Sequence, residues 1–422
     1  MAEALQQKLQ AASEAIETQP ANAVAQLREI LLGSYPNDAE ALKVKESALD
    51  MLAAALVKHE DTAGLRTLLT DLRPWFGVIP KAKTAKLVRT IIESIGKVPD
   101  STQILLEVCQ EQAAWATSEK RTFLRQRIDL RLASLYLTTR DYPAALTLIA
   151  KLLAEVKRLD DKLLLTEIHL LESKVHNAVL NLAKSRAALT ASRTAANAVY
   201  VAPSLQADID TQSGTLHAEE KDFKTAYSYF YEAFEQLSNL GDDSRAVSIL
   251  KYMLLCKIMS GEVGDVGGII SSKGGLKYAG ADVDALRAVA KAYQDRSLGE
   301  FQSTLETYKV QLQDDAVVHA HLSALYDMML EQNLKRLIEP YSRVEVAHLA
   351  KLIKLPLDNV ENKLSQMILD KKLAGTLDQR AGVLDVFEDA DADEVYPAAL
   401  DTMENMSRVV DSLFTRSLQI VS

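Results

Sequence analysis

A pattern that returns every forty residues constrains this chain more than any other feature. Leu132-Ala-Ser-Leu-Tyr136 leads through a polar turn into Arg140-Asp-Tyr-Pro-Ala-Ala-Leu146, so helical apolar spacing stops at a turn and restarts on an alanine. Asp141-Tyr142 is echoed by Asn181-Leu182 and Asp222-Phe223, steps of 40 and 41 residues. Ala145, Ser185 and Ala226 hold equivalent places, and side chains this small let two antiparallel helices approach closely. Val263 falls 40 residues after Phe223, and Ala21 and Ala63 extend the series upstream. A helical hairpin cannot bury its apolar stripe alone, so repeated hairpins stack into a solenoid. The period exceeds the roughly 34 residues of a tetratricopeptide unit, which predicts longer, less regular helix pairs.

Composition agrees. In 422 residues there are only 10 prolines and 16 glycines, too few for a fold of many tight turns between strands. The net charge of −10 offers no overall field for phosphate and favours a protein partner over nucleic acid. Cys109 and Cys256 cannot make a disulfide framework or a four-cysteine zinc site, which points to a reducing compartment. Glu3 and Lys8, with no apolar run behind them, predict no signal peptide, and the longest apolar run, Met51 to Val57, is far short of a membrane span. Local breaks fall at Arg73-Pro-Trp-Phe-Gly77 and in the glycine-rich run from Gly261 to Gly280, read here as a loop between helices.

From Ser342 the pattern changes. Ser342-Arg-Val-Glu345 reads as a capping box opening a helix with Val346, Leu349, Ala350 and Ile353 on one face. Leu355-Pro-Leu357 breaks it, and a second helix carries Val360, Leu364, Met367 and Ile368. Two short runs, Thr376–Asp378 and Val383–Phe387, flank Gly382, whose tolerance of positive φ suits a hairpin. Helix, turn, helix and β-hairpin make a winged helix. Residues 357–372 carry Asp358, Glu361 and Asp370 against Lys363, Lys371 and Lys372, a local charge of zero, so the module is predicted to dock protein rather than read DNA.

Beyond an acidic linker from Glu388 to Glu394, a last helix begins near Tyr396. Ala399, Met403, Met406, Val410, Leu413, Ser417 and Ile420 alternate steps of four and three, about three heptads of apolar seam. Such a helix either folds back on its own module or enters a bundle with other chains, and the second is the preferred expectation. The basic stretch Lys120, Arg121, Arg125, Arg127 and Arg131 is either a solvated face or a contact with an acidic neighbour.

These features together resemble the PCI family, helical repeats fused to a C-terminal winged helix, found in subunits of the proteasome lid, the COP9 signalosome and translation initiation factor complexes. The segments Ser118–Arg125, Lys221–Phe234, Leu250–Met259, Lys363–Lys372 and Asn405–Leu413 are similar to those of 26S proteasome lid subunits, densely from about residue 115 onward and thinly over the first hundred. Pro356 departs from the pattern, which would place a capping serine there. The resemblance implies a mainly α fold: a right-handed, tetratricopeptide-like solenoid (1–280), a helical part of the PCI domain (281–341), a winged helix with a small wing (342–390) and a bundle helix (391–422). It also implies a non-catalytic scaffold in the cytoplasm and nucleus. Its winged helix and last helix would meet other lid subunits, and its solenoid would meet the α-ring of the proteolytic core and neighbouring ATPase subunits. Expected partner-binding residues are Met403, Met406, Val410, Leu413 and Ile420, with Arg121 and Arg125.

No motif supports catalysis, a cofactor or a metal. His319-Ala-His321 is similar to the metal-binding pair of the lid's deubiquitinase family, but Met329 and Gln332 stand where that family has Ser and Asp. Two residues apart on a helix also point about 200° from one another. Gly267-Gly268 and Gly274-Gly275 flank Ser271-Ser-Lys273 without the order of a phosphate loop. The aromatics Tyr227, Tyr229, Phe230, Tyr231 and Phe234 are read as repeat packing rather than a base-stacking platform, and Cys109 and Cys256 as buried fillers.

Overall fold

The computed structural model describes residues 20–32, 39–59, 61–77, 79–99, 101–313, 316–353, 355–387 and 395–421, in two compact units, 1–256 and 257–422. The acidic linker 388–394 lies outside the described residues.

The first unit is helical throughout: α1 (Pro20–Leu32), α2 (Ala39–Lys58), α3 (Thr62–Asp71), α4 (Arg73–Phe76), α5 (Lys81–Ile95), α6 (Thr102–Ser118), α7 (Thr122–Thr138), α8 (Tyr142–Leu159), α9 (Lys162–Ala178), α10 (Leu182–Asn197), α11 (Pro203–Glu219), α12 (Phe223–Leu240) and α13 (Asp243–Met259). The Arg73–Gly77 break is thus itself a single helical turn, with Pro74 in the first turn, where its missing N–H costs nothing.

One turn recurs between these helices. Arg140, Leu180 and Lys221 sit at φ of 63°, 62° and 65°, in the left-handed region. The next residue in each case, Asp141, Asn181 or Asp222, donates its backbone N–H to the carbonyl five residues back, at 2.9 Å. That is the six-to-one bond of a Schellman turn. The same residue then caps the next helix, its side-chain oxygen accepting from the N–H of Ala144, Lys184 or Thr225 at 3.2–3.3 Å. One residue ends a helix and its successor begins another. The turn recurs at half the predicted period, with Lys120, Asp160 and Gly241 also at positive φ.

The small side chains lie where the period placed them. Ala145, Ser185 and Ala226 are fully buried. Ser185 Oγ donates to the Ser173 carbonyl at 2.8 Å, and Ser192 Oγ to that of Thr166 at 2.9 Å, so α9 and α10 meet along a buried row of hydroxyls. Upstream the register differs from expectation. Asp61 caps α3 by accepting from Gly64 N–H, so the buried fourth place falls on Leu65, and Ala63 is exposed. The aromatic cluster packs between repeats. Phe230 is buried against Tyr252 and over Gly214, where a Cβ would lie 2.8 Å from its ring. Tyr229 stacks on His217 at 5.4 Å, with Arg193 over its other side.

The second unit contains α14 (Gly264–Ser271), α15 (Lys273–Lys277), α16 (Ala281–Gln294), α17 (Leu298–Thr307), α18 (Lys309–Gln313) and α19 (Ala316–Ile338), then β1 (Arg343–Glu345), α20 (Val346–Ile353), α21 (Leu357–Leu369), β2 (Gly375–Asp378), β3 (Val383–Val386) and α22 (Val395–Val421). The glycine-rich run is therefore two short helices, not a loop. Ser272 caps the second, accepting from Gly275 N–H at 3.2 Å.

Ser342–Glu345 is likewise not a capping box. It forms strand β1, paired antiparallel with β3 in a three-stranded sheet of order β1-β3-β2, with Val344 opposite Leu384. Burial alternates exposed, buried, exposed, and the Ser342 carbonyl accepts from Val386 N–H at 2.9 Å. The hairpin of β2 and β3 is as expected, and Gly382 takes a φ of 65°. Pro356 is extended (φ −58°, ψ 143°) and stands just before α21 rather than in its first turn. Leu334 and Ile338 of α19, Val346 and Leu349 of α20, Val360, Leu364 and Met367 of α21, and Leu384 of β3 form one core. The fold is a helical solenoid followed by a winged-helix module.

Two predictions follow from the packing. Leu180→Gly relieves a strained φ at an exposed site and raises stability by about 1 kcal/mol, whereas Asn181→Ala removes the cap and lowers it by about 1 kcal/mol. Urea titration of the two variants measures both. Gly214→Ala drives a methyl into the Phe230 ring and costs about 1–3 kcal/mol, which the same titration reads as an earlier midpoint.

Candidate protein-docking surfaces

α22 has 27 residues and is about 40 Å long at 1.5 Å per residue. Its polar side carries Asp401, Glu404, Arg408 and Asp411, with Arg408 paired to Glu404 one turn back at 2.6 Å. The opposite side carries Met403, Met406, Val410 and Leu413 from the predicted seam, 59–68% exposed. Every side chain described in this helix, from 395 to 417, is exposed. The Ile420 side chain lies outside what is described.

The apolar face is wider than a coiled-coil seam. Tyr396, Leu400, Val409 and Phe414 are exposed beside it, at 58–71%. A stripe this broad suits burial against more than one neighbour. Exposed apolar surface on this scale marks an interaction site, and the thioethers of Met403 and Met406 adapt readily to irregular partners.

The winged helix holds two of its lysines internally. Lys363 is buried, and its Nζ lies 3.1 Å from Glu331 of α19 and 3.9 Å from Asp327. Lys372 reaches the other oxygen of Glu331 at 2.8 Å. Burial works to raise the Glu331 carboxyl, but the hydrogen bonds from Lys372 and Lys363 outweigh it and hold it below the usual glutamate value. Two of the three lysines on the would-be recognition helix are thus committed within the module.

Three of the five basic side chains in the stretch at the start of α7 are engaged within the chain. Arg121 is buried; it donates to the Phe76 carbonyl at 2.9 Å and lies over the Trp115 ring at 5.1 Å. Arg125 pairs with Glu155 and, at 3.7 Å, with Asp129. Arg127 grips both oxygens of Glu167, at 2.9 and 2.7 Å. Arg121 therefore braces the first unit instead of facing a partner, and Arg125 is neutralised within the chain. Arg121 and Arg125 belong to the first unit and α22 to the second.

Cys109 and Cys256 are buried, and burial pushes their thiols up to about 11 and about 12, away from reactivity. Among the described residues no three or more His, Cys, Asp or Glu side chains gather to hold a metal. No described helix is long and apolar enough to cross a membrane.

Helical repeats, a winged helix whose Lys363 and Lys372 are held by Glu331, and an exposed amphipathic helix define a PCI-type protein. Residues 305–388 match the PCI domain, 5–139 the 26S proteasome regulatory subunit RPN6 N-terminal domain, and 392–417 the 26S proteasome subunit RPN6 C-terminal helix domain. The chain is 57% identical over 408 residues to the 26S proteasome non-ATPase regulatory subunit 11 homolog of Arabidopsis thaliana, covering 97% of each. It is 48% identical to the probable 26S proteasome regulatory subunit rpn6 of Schizosaccharomyces pombe, covering 92% of each. With the RPN6 subunit of Saccharomyces cerevisiae it shares 45% identity, covering 84% of this chain and 82% of that one. The chain belongs to the RPN6 family, the family of 26S proteasome non-ATPase regulatory subunit 11. The N-terminal match reaches back to residue 5, so the resemblance that sequence blocks carried only thinly there spans the whole chain.

The Glu331 cluster yields a pH test. A carboxylate with a lowered folded pKa contributes stability that is present above the unfolded value and lost as pH falls through the folded one. Glu331→Gln is expected to destabilise the winged-helix unit by about 1–3 kcal/mol at pH 7, since buried Lys363 loses its partner. Below about pH 4.3 the difference from wild type shrinks as the wild-type carboxylate itself protonates. Thermal unfolding at pH 7 and pH 3 checks both the size and the sign.

Proposed function

We propose that this chain is a non-catalytic structural subunit of the lid of the 26S proteasome regulatory particle, serving ubiquitin-dependent protein degradation. The observation that carries the proposal is the exposed apolar face of α22, which has no use in the isolated chain and is matched by the C-terminal helix domain of RPN6 subunits. In this reading α22 enters a bundle with helices of other lid subunits through Met403, Met406, Val410, Leu413 and Ile420, with Leu400 and Phe414 widening the contact. The winged helix packs beside its counterparts. The helical-repeat unit faces the α-ring of the proteolytic core and neighbouring ATPase subunits. The complex works in cytoplasm and nucleus, with no nucleic acid and no membrane among its partners.

A COP9 signalosome scaffold has the same architecture, but the relatives named above are proteasome subunits. The commitment of Lys363 on α21 and of Lys372 just beyond it disfavours the third reading, a winged-helix nucleic-acid binder.

Val410→Asp or Leu413→Asp places a carboxylate in the proposed bundle. Incorporation into the regulatory particle is expected to fall tenfold or more, about 1.4 kcal/mol at the least, while circular dichroism of the free chain stays unchanged. Incorporation at the wild-type level, measured by native gel and quantitative mass spectrometry, would contradict the assignment.

A further inference from the structure

A groove of about 670 Å³ crosses the helical-repeat unit, lined by α5, α7, α9 and the start of α11. These are alternate helices lying side by side. Its floor is aliphatic, with Leu124, Ile128 and Leu171 almost fully buried and Leu205 half-buried. Five basic side chains line it, Arg89, Lys97, Arg127, Arg131 and Lys174, against two carboxylates, Glu93 and Glu167.

The two carboxylates are already engaged. Glu167 holds Arg127, and Glu93 holds Arg89 at 3.3 Å. Lys97, Arg131 and Lys174 have no carboxylate within ion-pair distance among the described residues. An excess of three positive charges therefore surrounds an apolar floor, on a chain whose net charge is −10.

We infer that this groove binds a short acidic segment of a partner protein, whose aliphatic side chains seat on the floor while its carboxylates meet Lys97, Arg131 and Lys174. Alternate helices packed at about 8–10 Å give four of them a span of about 30 Å, room for about nine residues of extended chain at about 3.3 Å each. The groove has no aromatic side chain on which a base could stack, and its aliphatic floor offers nothing to a phosphate backbone. A peptide answers both the charge and the aliphatic floor. The inference concerns the free chain and stands apart from its membership of the lid.

The test pans a library of short random peptides against the full-length chain, then measures the enriched peptides by fluorescence anisotropy. Enriched sequences are expected to be acidic and to carry at least two large aliphatic residues, and their binding weakens as salt is raised. Lys97→Glu combined with Arg131→Glu removes side chains that satisfy no internal partner, so circular dichroism and the thermal midpoint stay as in wild type while affinity falls tenfold or more. Arg131→Lys keeps most of the binding. The inference is overturned by no enrichment, by enrichment of basic or uncharged peptides, or by affinity undiminished in the double variant. It is overturned as well if sedimentation finds a dimer that the double variant dissociates, since a second copy would then fill the groove.

Discussion

Most junctions between α6 and α13 in the first unit are made by one turn: a residue held in the left-handed region, followed at once by a residue that closes one helix and opens the next. At Arg140-Asp141, Leu180-Asn181 and Lys221-Asp222 the backbone N–H of the second residue satisfies an orphan carbonyl of the outgoing helix. Its side chain then satisfies an orphan N–H of the incoming one. Two residues thus reverse the chain while leaving few backbone groups unpaired. So short a reversal forces the helices antiparallel and close, and closeness demands the buried Ala145, Ser185 and Ala226 where they touch. A left-handed non-glycine residue costs about 1 kcal/mol, and the cap returns a similar amount.

That turn explains what could be read in advance. The 40-residue period was visible because Asp and Asn at the cap are local chemistry, imposed by the turn and independent of distant packing. The shorter period of about twenty rests on the same chemistry, with Asp161 capping α9 through Leu164 N–H and Asp242 in the cap place before α13. Arg121 and the longer connection between α10 and α11 interrupt the series and hid it. Ser342-Arg-Val-Glu345 misled for the opposite reason. Its spacing suits a capping box and an alternating strand equally, and only β3, some forty residues onward, decides between them. The burial of Arg121 was equally out of reach, since its acceptor is the Phe76 carbonyl 45 residues upstream. On α22 a heptad template found Met403, Met406, Val410 and Leu413 but passed over Leu400 and Phe414, because a bundle stripe is wider than a two-stranded seam.

In the second unit a module shaped like a DNA reader commits two of its lysines within the fold. Lys363 and Lys372 converge on Glu331, so the cations that would meet phosphate are spent inside the fold. The apolar surface that a folded chain ordinarily hides is instead displayed along α22. Commitment of charge and display of apolar area point the same way, toward assembly in a larger complex. The cationic groove of the first unit adds a second, polar mode of recognition to that apolar one.

Affinity purification of the tagged full-length chain from cells, followed by mass spectrometry, tests the central claim most directly. The account predicts recovery of the regulatory lid together with ATPase and proteolytic-core subunits of the 26S proteasome. Recovery of signalosome subunits without proteolytic subunits, or of no proteasome subunit at all, would contradict it.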